Sequence, residues 1–357
     1  CTGEGGISRH HLHGGDLIWQ IGTGYFGCRD EHGRFDAEAF AEQAAHDAVK
    51  MIEIKLSQGA KPGHGGILPA EKITPEIAEI RKVPFGQDVI SPPAHSAFGT
   101  PRELVRWLDS LRMLSGKPVG IKLCVGEQHE FLAICRAMLE TGCHPDYIAV
   151  DGSEGGTGAA PAEFSNSLGS PLVDGLLFVH GALVAAGLRD RIRIAASGKI
   201  ATGFGMVRMI ALGADFCYSA RAMMLALGCI QARHCNNNRC PVGVATQDPR
   251  LTVGLDVKHK QERVRRYQQR TVRAALELIA AAGLGHPSEL TPRHILRRLA
   301  AGGIASYEEL RESIEPGCLR AGRLPSSLRG SWEAASSETF AAQKTYAPSA
   351  MLLPVDM

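Results

Sequence analysis

Ile192-Arg193-Ile194-Ala195-Ala196-Ser197-Gly198-Lys199 and Gly213-Ala214-Asp215-Phe216-Cys217-Tyr218-Ser219-Ala220-Arg221, with a helical pattern over 203–212 between them, decide the fold. Two short apolar runs joined by a helix predict a β-α-β unit with parallel strands. A polar turn follows each run. In α/β barrels, backbone N–H groups of such turns and a helix N-terminus bind phosphate. Gly198 permits close approach there and Arg221 supplies charge. An ordinary βα turn is the plainer alternative.

The same alternation extends upstream. Apolar runs at 51–56, 119–123 and 147–150 read as buried strands, with a weaker one at 88–91. Between them, Asp36 caps a helix reaching Ala45. Thr100-Pro101-Arg102-Glu103 is a capping box with Pro at the first helical position. Segments 129–141 and 171–186 have helical spacing. Strands buried on both faces and alternating with helices imply a parallel sheet. Polar, Gly-rich residues follow nearly every strand, where a (β/α)8 TIM-type barrel keeps its site. An open doubly wound sheet fits the pattern too.

About six strands are legible, so the rest of an eight-stranded barrel is expected before Cys1. The chain reads as cut from something longer, with the first barrel strand missing. Cys1 as an N-terminal nucleophile is the rival reading, but no glutaminase-like sequence follows it. The expected organisation is an α/β barrel over 1–250, a helical extension over 251–318, and a poorly ordered Ser/Ala/Gly-rich tail over 319–357. Within the extension, 258–282 and 287–298 read as helices.

The 357 residues carry a formal net charge of +2 without a long basic run, which argues against nucleic acid as a partner. No apolar stretch reaches the ~18 residues of a membrane span. Ten Cys without a signal peptide read as reduced thiols or metal ligands, and the expected compartment is the cytoplasm. A membrane segment in upstream sequence is left open.

Cys229, Cys235 and Cys240-Pro241 place three soft thiolate ligands within twelve residues. The spacing is wrong for a zinc ribbon. With no fourth Cys nearby it suits a [3Fe-4S] cluster. Buried structural cysteines, or zinc with His234 as a fourth ligand, are the alternatives. Asp151-Gly152-Ser153-Glu154-Gly155-Gly156-Thr157-Gly158 is a loop that lets a flat ring or an anion touch backbone, or else is merely flexible. Lys55 ends an apolar strand, Gln58 and Lys61 follow it, and Arg81 lies downstream. Lys122 sits inside another strand and needs an anionic partner. That partner is a dicarboxylate, a reduced flavin, or the other half of a structural ion pair.

Together these stretches resemble the FMN-binding domain of glutamate synthase. The resemblance rests on Thr2-Gly3-Glu4-Gly5-Gly6, Gln58-Gly59-Ala60-Lys61-Pro62-Gly63-x-Gly65-Gly66, Ile90-Ser91-Pro92-Pro93, Gly155-Gly156-Thr157-Gly158-Ala159 and Cys229…Cys235…Cys240-Pro241-Val242-Gly243. Tyr25-Phe26-Gly27-Cys28-Arg29 and Pro93-Ala94-His95-Ser96-Ala97-Phe98 resemble the stand-alone members. The resemblance implies a (β/α)8 barrel, FMN, a [3Fe-4S] cluster and 2-oxoglutarate, with Lys61, Lys122 and Glu4 at the reacting centre. Lys55, Gln58, Lys61 and Arg81 would hold the oxoacid, and Lys122 would stand by the flavin N1/O2 edge. Gly155, Gly156, Thr157, Gly158, Ser197, Gly198, Lys199, Ser219 and Arg221 would cradle the flavin and its phosphate. Cys229, Cys235 and Cys240 would bind the cluster.

The implied reaction is reductive amination of 2-oxoglutarate to L-glutamate through 2-iminoglutarate. Ammonia would be free or come from a glutaminase subunit. Electrons would come from ferredoxin or a flavoprotein subunit. Methylamine in place of ammonia, as in N-methylglutamate synthase subunits, is one alternative. A non-catalytic electron-transfer subunit is another, but would not need Lys55, Gln58, Lys61 and Arg81. A 2-hydroxyacid oxidase would lack the three cysteines.

Overall fold

A computed structural model describes residues 1–158, 160–300 and 302–343. Its core is a parallel sheet of six strands. In chain order the elements are β1 (Leu17–Ile21), α1 (Ala37–Ala44), β2 (Val49–Lys55), β3 (Ile67–Leu68), α2 (Pro75–Arg81), β4 (Val89–Ile90), α3 (Pro101–Ser115) and β5 (Val119–Leu123). There follow α4 (Gln128–Thr141), β6 (Tyr147–Asp151), α5 (Leu172–Ala186), β7 (Arg193–Ser197), α6 (Gly203–Ala211), β8 (Phe216–Tyr218), α7 (Arg221–Leu227), α8 (Pro249–Thr252) and α9 (Val257–Ala281). The strands lie in the order β1-β2-β5-β6-β7-β8, and among the described residues the sheet is not closed. It is a curled part-barrel of the (β/α)8 kind.

Local chemistry sets the helix starts. Asp36 accepts from the N–H groups of Glu38 and Ala39, and Thr100 with Glu103 forms the reciprocal capping box. Thr202 caps α6 by accepting from Gly205 N. The strands alternate as a barrel requires. Trp19, Ile21, Ile52, Ile54, Ile121, Ile148 and Ile194 are fully buried in the main core cluster. The residues between them face the barrel interior and are largely polar: Gln20, Glu53, Lys55, Lys122, Asp151 and Ser197. Tyr147 fills part of that interior. Its ring occupies the space a Cβ on Gly120 would need, and its hydroxyl donates to Ile52 O at 3.2 Å.

Three expectations are corrected. The segment 88–91 is no barrel stave: β4 pairs antiparallel with β3 in a separate two-stranded sheet. The sixth stave is β1, in parallel register with β2. The expected helix at 287–298 is two short 3-10 turns followed by Leu296–Arg298, paired antiparallel with Ile304–Ser306. Pro292 lacks an N–H and forces Thr291 to extended geometry, at φ −134°, so a continuous helix cannot pass.

The tail expected to be poorly ordered from 319 instead packs as far as 343. Leu319 N donates to Ala185 O at 2.9 Å, and Leu328 and Trp332 are buried. Helix α10 (Arg329–Ala334) lies against α4, where the Arg136 guanidinium sits 4.1 Å from the Trp332 ring centroid. Three large apolar side chains outweigh a composition that reads as linker. Residues 344–357 of that expectation lie outside the described residues. Among the described residues no helix is long and apolar enough to cross a membrane.

Candidate active site

The loops at the C-terminal ends of β2, β5, β6, β7 and β8 build one polar region. Lys55 closes β2. Its Nζ lies 3.1 Å from Glu4 Oε1 and donates to Gln58 Oε1 at 3.1 Å. Lys61 is 6% exposed and donates to Gly65 O at 3.1 Å. Burial, then the nearby charge of Lys55, pulls its pKa below the usual lysine value, while Glu4 opposes the shift. Glu4, Thr23, Lys55, Ser57, Gln58 and Lys61 line a common pocket.

Arg81 is not on that lining. It lies behind the 3–5 loop, stacked 5.2 Å from the Phe26 ring centroid, with its guanidinium where a Cβ on Gly5 would go. Burial lowers its pKa and Glu4 opposes this.

A second recess is continuous with the first through Lys55 and Gln58. Gln20, Lys122, Asp151, Glu154, Gly155, Gly156, Thr157, Ser197, Gly198, Lys199, Tyr218 and Arg221 line it. Gln58 Nε2 donates to Gly156 O at 2.6 Å and Ala60 N to Gly155 O at 2.7 Å, which ties the lysine loop to the Gly-rich loop. Asp151, 2% exposed, accepts from Gly59 N at 2.9 Å and Ser197 Oγ at 2.7 Å, and faces Lys122 Nζ at 3.4 Å. The anionic partner that a lysine on a buried strand requires is therefore Asp151. Lys199 holds a left-handed φ of 49° at the turn after β7 and has no carboxylate within ion-pair distance among the described residues. Ser219 Oγ donates to Ile200 O at 2.9 Å, tying the last two loops together.

Beneath the recess, Glu53 is fully buried. It accepts from Gln20 Nε2 at 2.6 Å and from Tyr218 OH at 2.6 Å. Burial and then the Glu53 charge push the Tyr218 hydroxyl pKa far up, so Tyr218 stays a donor. At the side, His95 Nε2 donates to Lys55 O at 3.0 Å, which leaves Nδ1 to accept from Tyr25 OH at 3.1 Å. Sequence reading passed over Gln20, Glu53, Asp151, Tyr218 and the Tyr25–His95 pair as site residues. A polar side chain at an inward position of an apolar strand was the available signal, used only for Lys122.

The cysteine loop adjoins the same region. A Cβ on Gly158 would come 2.9 Å from Arg221 Nη2 and 3.3 Å from Cys235 Sγ. Arg221 Nη1 donates to Cys229 Sγ at 3.6 Å and Gln231 N to the same sulfur at 3.4 Å. Burial pushes the Cys240 thiol up, but backbone N–H groups of Ala245, Val242, Val244 and Gly243 outweigh it and hold the pKa below its ordinary value. All ten cysteines are unpaired. Among the described residues no group of three or more His, Cys, Asp or Glu has a metal-holding arrangement, so Cys229, Cys235 and Cys240 do not converge as a preformed centre. His234 bonds Asn237 instead. Ala159 lies outside the described residues.

A parallel α/β part-barrel with a lysine-lined pocket and an anion-suited recess at the strand ends defines the class. Residues 1–285 match the family described as a conserved region in glutamate synthase, and the chain belongs to that family. It is 42% identical over 87% of its length to the glutamate synthase large subunit-like protein YerD of Bacillus subtilis, covering 59% of that protein. It is 36% identical over 79% of its length to an archaeal glutamate synthase [NADPH] of Methanocaldococcus jannaschii, covering 53% of it. A ferredoxin-dependent glutamate synthase 2 of Synechocystis is 36% identical over 68% of this chain and 15% of that protein. The chain thus spans between half and three fifths of the first two relatives. Among solved structures, a mandelate oxidase with benzoyl-formic acid overlaps 79% of this chain and 63% of its own, at 15% identity and a TM-score of 0.43.

Proposed function

We propose that this chain is the synthase portion of a glutamate synthase-type oxidoreductase that reductively aminates 2-oxoglutarate to L-glutamate. The observation that carries the reading is the convergence of Glu4, Lys55, Gln58 and Lys61 in one pocket, joined by the Gln58–Gly156 bond to the Gly-rich recess. The recess suits FMN: Lys122 stands at its inner wall, and Lys199 and Arg221 offer charge to a phosphate. FMN, when bound, supplies hydride to the carbon of an imine.

Lys55 and Lys61 face the two carboxylates of the oxoacid, and Gln58 fixes its register. Arg81 steadies the loop that carries Glu4. Glu4 takes the proton that ammonium must lose before its nitrogen attacks the oxo carbon. Lys61, its pKa lowered by burial, gives a proton to the hydroxyl left on that carbon, so that its C–O bond breaks and water leaves. Lys122 supplies positive charge where negative charge gathers in the recess. Thiolates of Cys229, Cys235 and Cys240 would hold a [3Fe-4S] cluster, which supplies one-electron transfer. The N–H groups around Cys240 and the cation of Arg221 beside Cys229 suit an anionic sulfur-bound group. Ammonia would be free or delivered by a glutaminase subunit, and reducing equivalents would come from an external protein.

The test is Lys61→Ala in the full-length protein loaded with FMN. Flavin binding should persist while oxidation of reduced flavin by 2-oxoglutarate and ammonia is lost. Equal loss of both would reject the role. An alkylamine in place of ammonia is favoured by one feature. A cavity of about 290 Å³, walled by Phe98, Leu123 and Phe131 with Glu127 and Glu130 also on its lining, shares Leu56, Ser57, Gly63 and Pro93 with the lysine pocket. Faster turnover with methylamine than with ammonia would favour that reading.

A further inference from the structure

A cavity of about 210 Å³ between α5 and the segment 308–314 takes no part in this chemistry. His180, Gly181 and Val184 of α5 line one side, and Glu308, Arg311 and Glu312 line the other. It shares no lining residue with the lysine pocket or the Gly-rich recess. Gly181 lets the segment come close, since a Cβ there would meet Ile314 Cδ1 at 3.0 Å. Two backbone bonds fasten the chain just beyond it to α5. Gly317 N donates to Val184 O and Leu319 N to Ala185 O, each at 2.9 Å.

The charges around this cavity are uncommitted. Arg311 is half-buried, and burial pulls its pKa below the usual guanidinium value with no carboxylate opposing the shift. Glu308 is one turn back, and Arg311 N donates to its backbone oxygen at 3.4 Å. The two side chains nevertheless do not pair, and among the described residues neither has another ion-pair partner. Glu312 differs, because its two oxygens accept from Ser326 N and Ser327 N at 2.9 Å each. His180 Nδ1 accepts from Arg189 Nε at 3.2 Å, which leaves the ring proton on Nε2. Burial, then Arg189 and Arg311, push the His180 pKa down to about 4, so at neutral pH the ring is an uncharged donor. A cation withdrawn from water without a counter-ion is costly. Here a counter-charge stands on the same lining but out of reach, an arrangement that a small molecule carrying both signs would bridge.

We infer that the cavity between α5 and segment 308–314 binds a free α-amino acid, its carboxylate on Arg311 and its ammonium on Glu308. A carboxylate matches the planar guanidinium through two parallel hydrogen bonds. An ammonium has donors only, and the free Glu308 carboxylate supplies acceptors. Gly181 and Val184 leave an apolar face for the side chain. The site is independent of the flavin and of the cysteines.

The test titrates the full-length protein by calorimetry with L-glutamate, L-glutamine and glycine, and with acetate and methylamine as half-ligands. At least one amino acid should bind more tightly than either half-ligand. Arg311→Met and, separately, Glu308→Gln should each weaken that binding by about tenfold. Glu308 is exposed, so Glu308→Gln keeps the test open should Arg311→Met fail to fold. Lys61→Ala, which alters the lysine pocket alone, should leave the binding in place. No binding of any of the three amino acids, acetate binding as tightly as they do, or affinity unchanged in both cavity variants would overturn the proposal. Binding lost in Lys61→Ala but kept in Arg311→Met would also overturn it, while supporting the lysine pocket as the place where product sits. Binding kept in Lys61→Ala and lost in the cavity variants would stand even if the reductive amination reading failed.

Discussion

The Lys122 ammonium lies 3.4 Å from the Asp151 carboxylate, with both side chains largely withdrawn from water at the inward ends of neighbouring strands. Asp151 also accepts from Gly59 N and Ser197 Oγ. Asp151 therefore ties the loop after β2 to the ends of β5, β6 and β7. Lys122→Met should leave a buried carboxylate without its cation and cost about 3 kcal/mol. Combining it with Asp151→Asn should recover much of that loss. Urea midpoints of the three proteins check this, and a double variant worse than Lys122→Met would show that the pair is not the unit.

Gly120→Ala tests the filling of the barrel. The added methyl meets the Tyr147 ring, which is 1% exposed and has no room to retreat. A loss of roughly 1–3 kcal/mol is expected. Gly120→Ala with Tyr147→Leu should be milder than Gly120→Ala alone, read by thermal unfolding.

Acid sensitivity should follow two histidines. Burial pushes His95 and His180 down to about 4, from an ordinary 6.5. Lys55 O and Glu4 act against the shift at His95, while Arg189 and Arg311 reinforce it at His180. Between those pH values the unfolded chain binds more protons than the folded one, so stability falls as pH falls. The loss begins near 6.5 and is complete near 4. Each group contributes on the order of 3 kcal/mol over that window. His95→Gln should flatten the pH dependence of the urea midpoint between these limits. An unchanged slope would mean that His95 is already charged in the folded state.

Trp332 should anchor the C-terminal strap. Its ring stacks on Arg136, whose Nη2 donates to Trp332 O at 2.8 Å. Trp332→Ala should cost about 3–4 kcal/mol. It should also open 319–343 to limited proteolysis while the sheet stays protected. A strap as resistant as in the native chain would refute the anchoring.

Much of the parallel sheet was legible because buried strands are short apolar runs between turn signals. The runs behind β5 and β8 matched the structure to the residue. β1 was missed because Gln20 and the Gly residues around it dilute a five-residue run. The 88–91 segment misled because Val89 and Ile90 are apolar for a local reason, pairing with Ile67 and Leu68. In the site, Lys55, Gln58 and Lys61 stood close in sequence and were easily seen. Glu53 and Tyr218 were not, since 165 residues separate them and only the curl of the sheet brings them together. Arg81 shows the converse: the family resemblance pointed it at the oxoacid, yet in this structure it stacks on Phe26 behind the loop.

The open order of the sheet leaves β1 and β8 as outer strands. Thr2 covers part of one side, its N–H donating to Ile18 O at 2.9 Å. A strand flank with unspent donors and acceptors is a template that recruits other chains. The 357-residue chain handled by itself should therefore be prone to intermolecular strand pairing. Light scattering that rises with concentration would report it, and a charged residue placed on either flank should act as a guard against self-assembly.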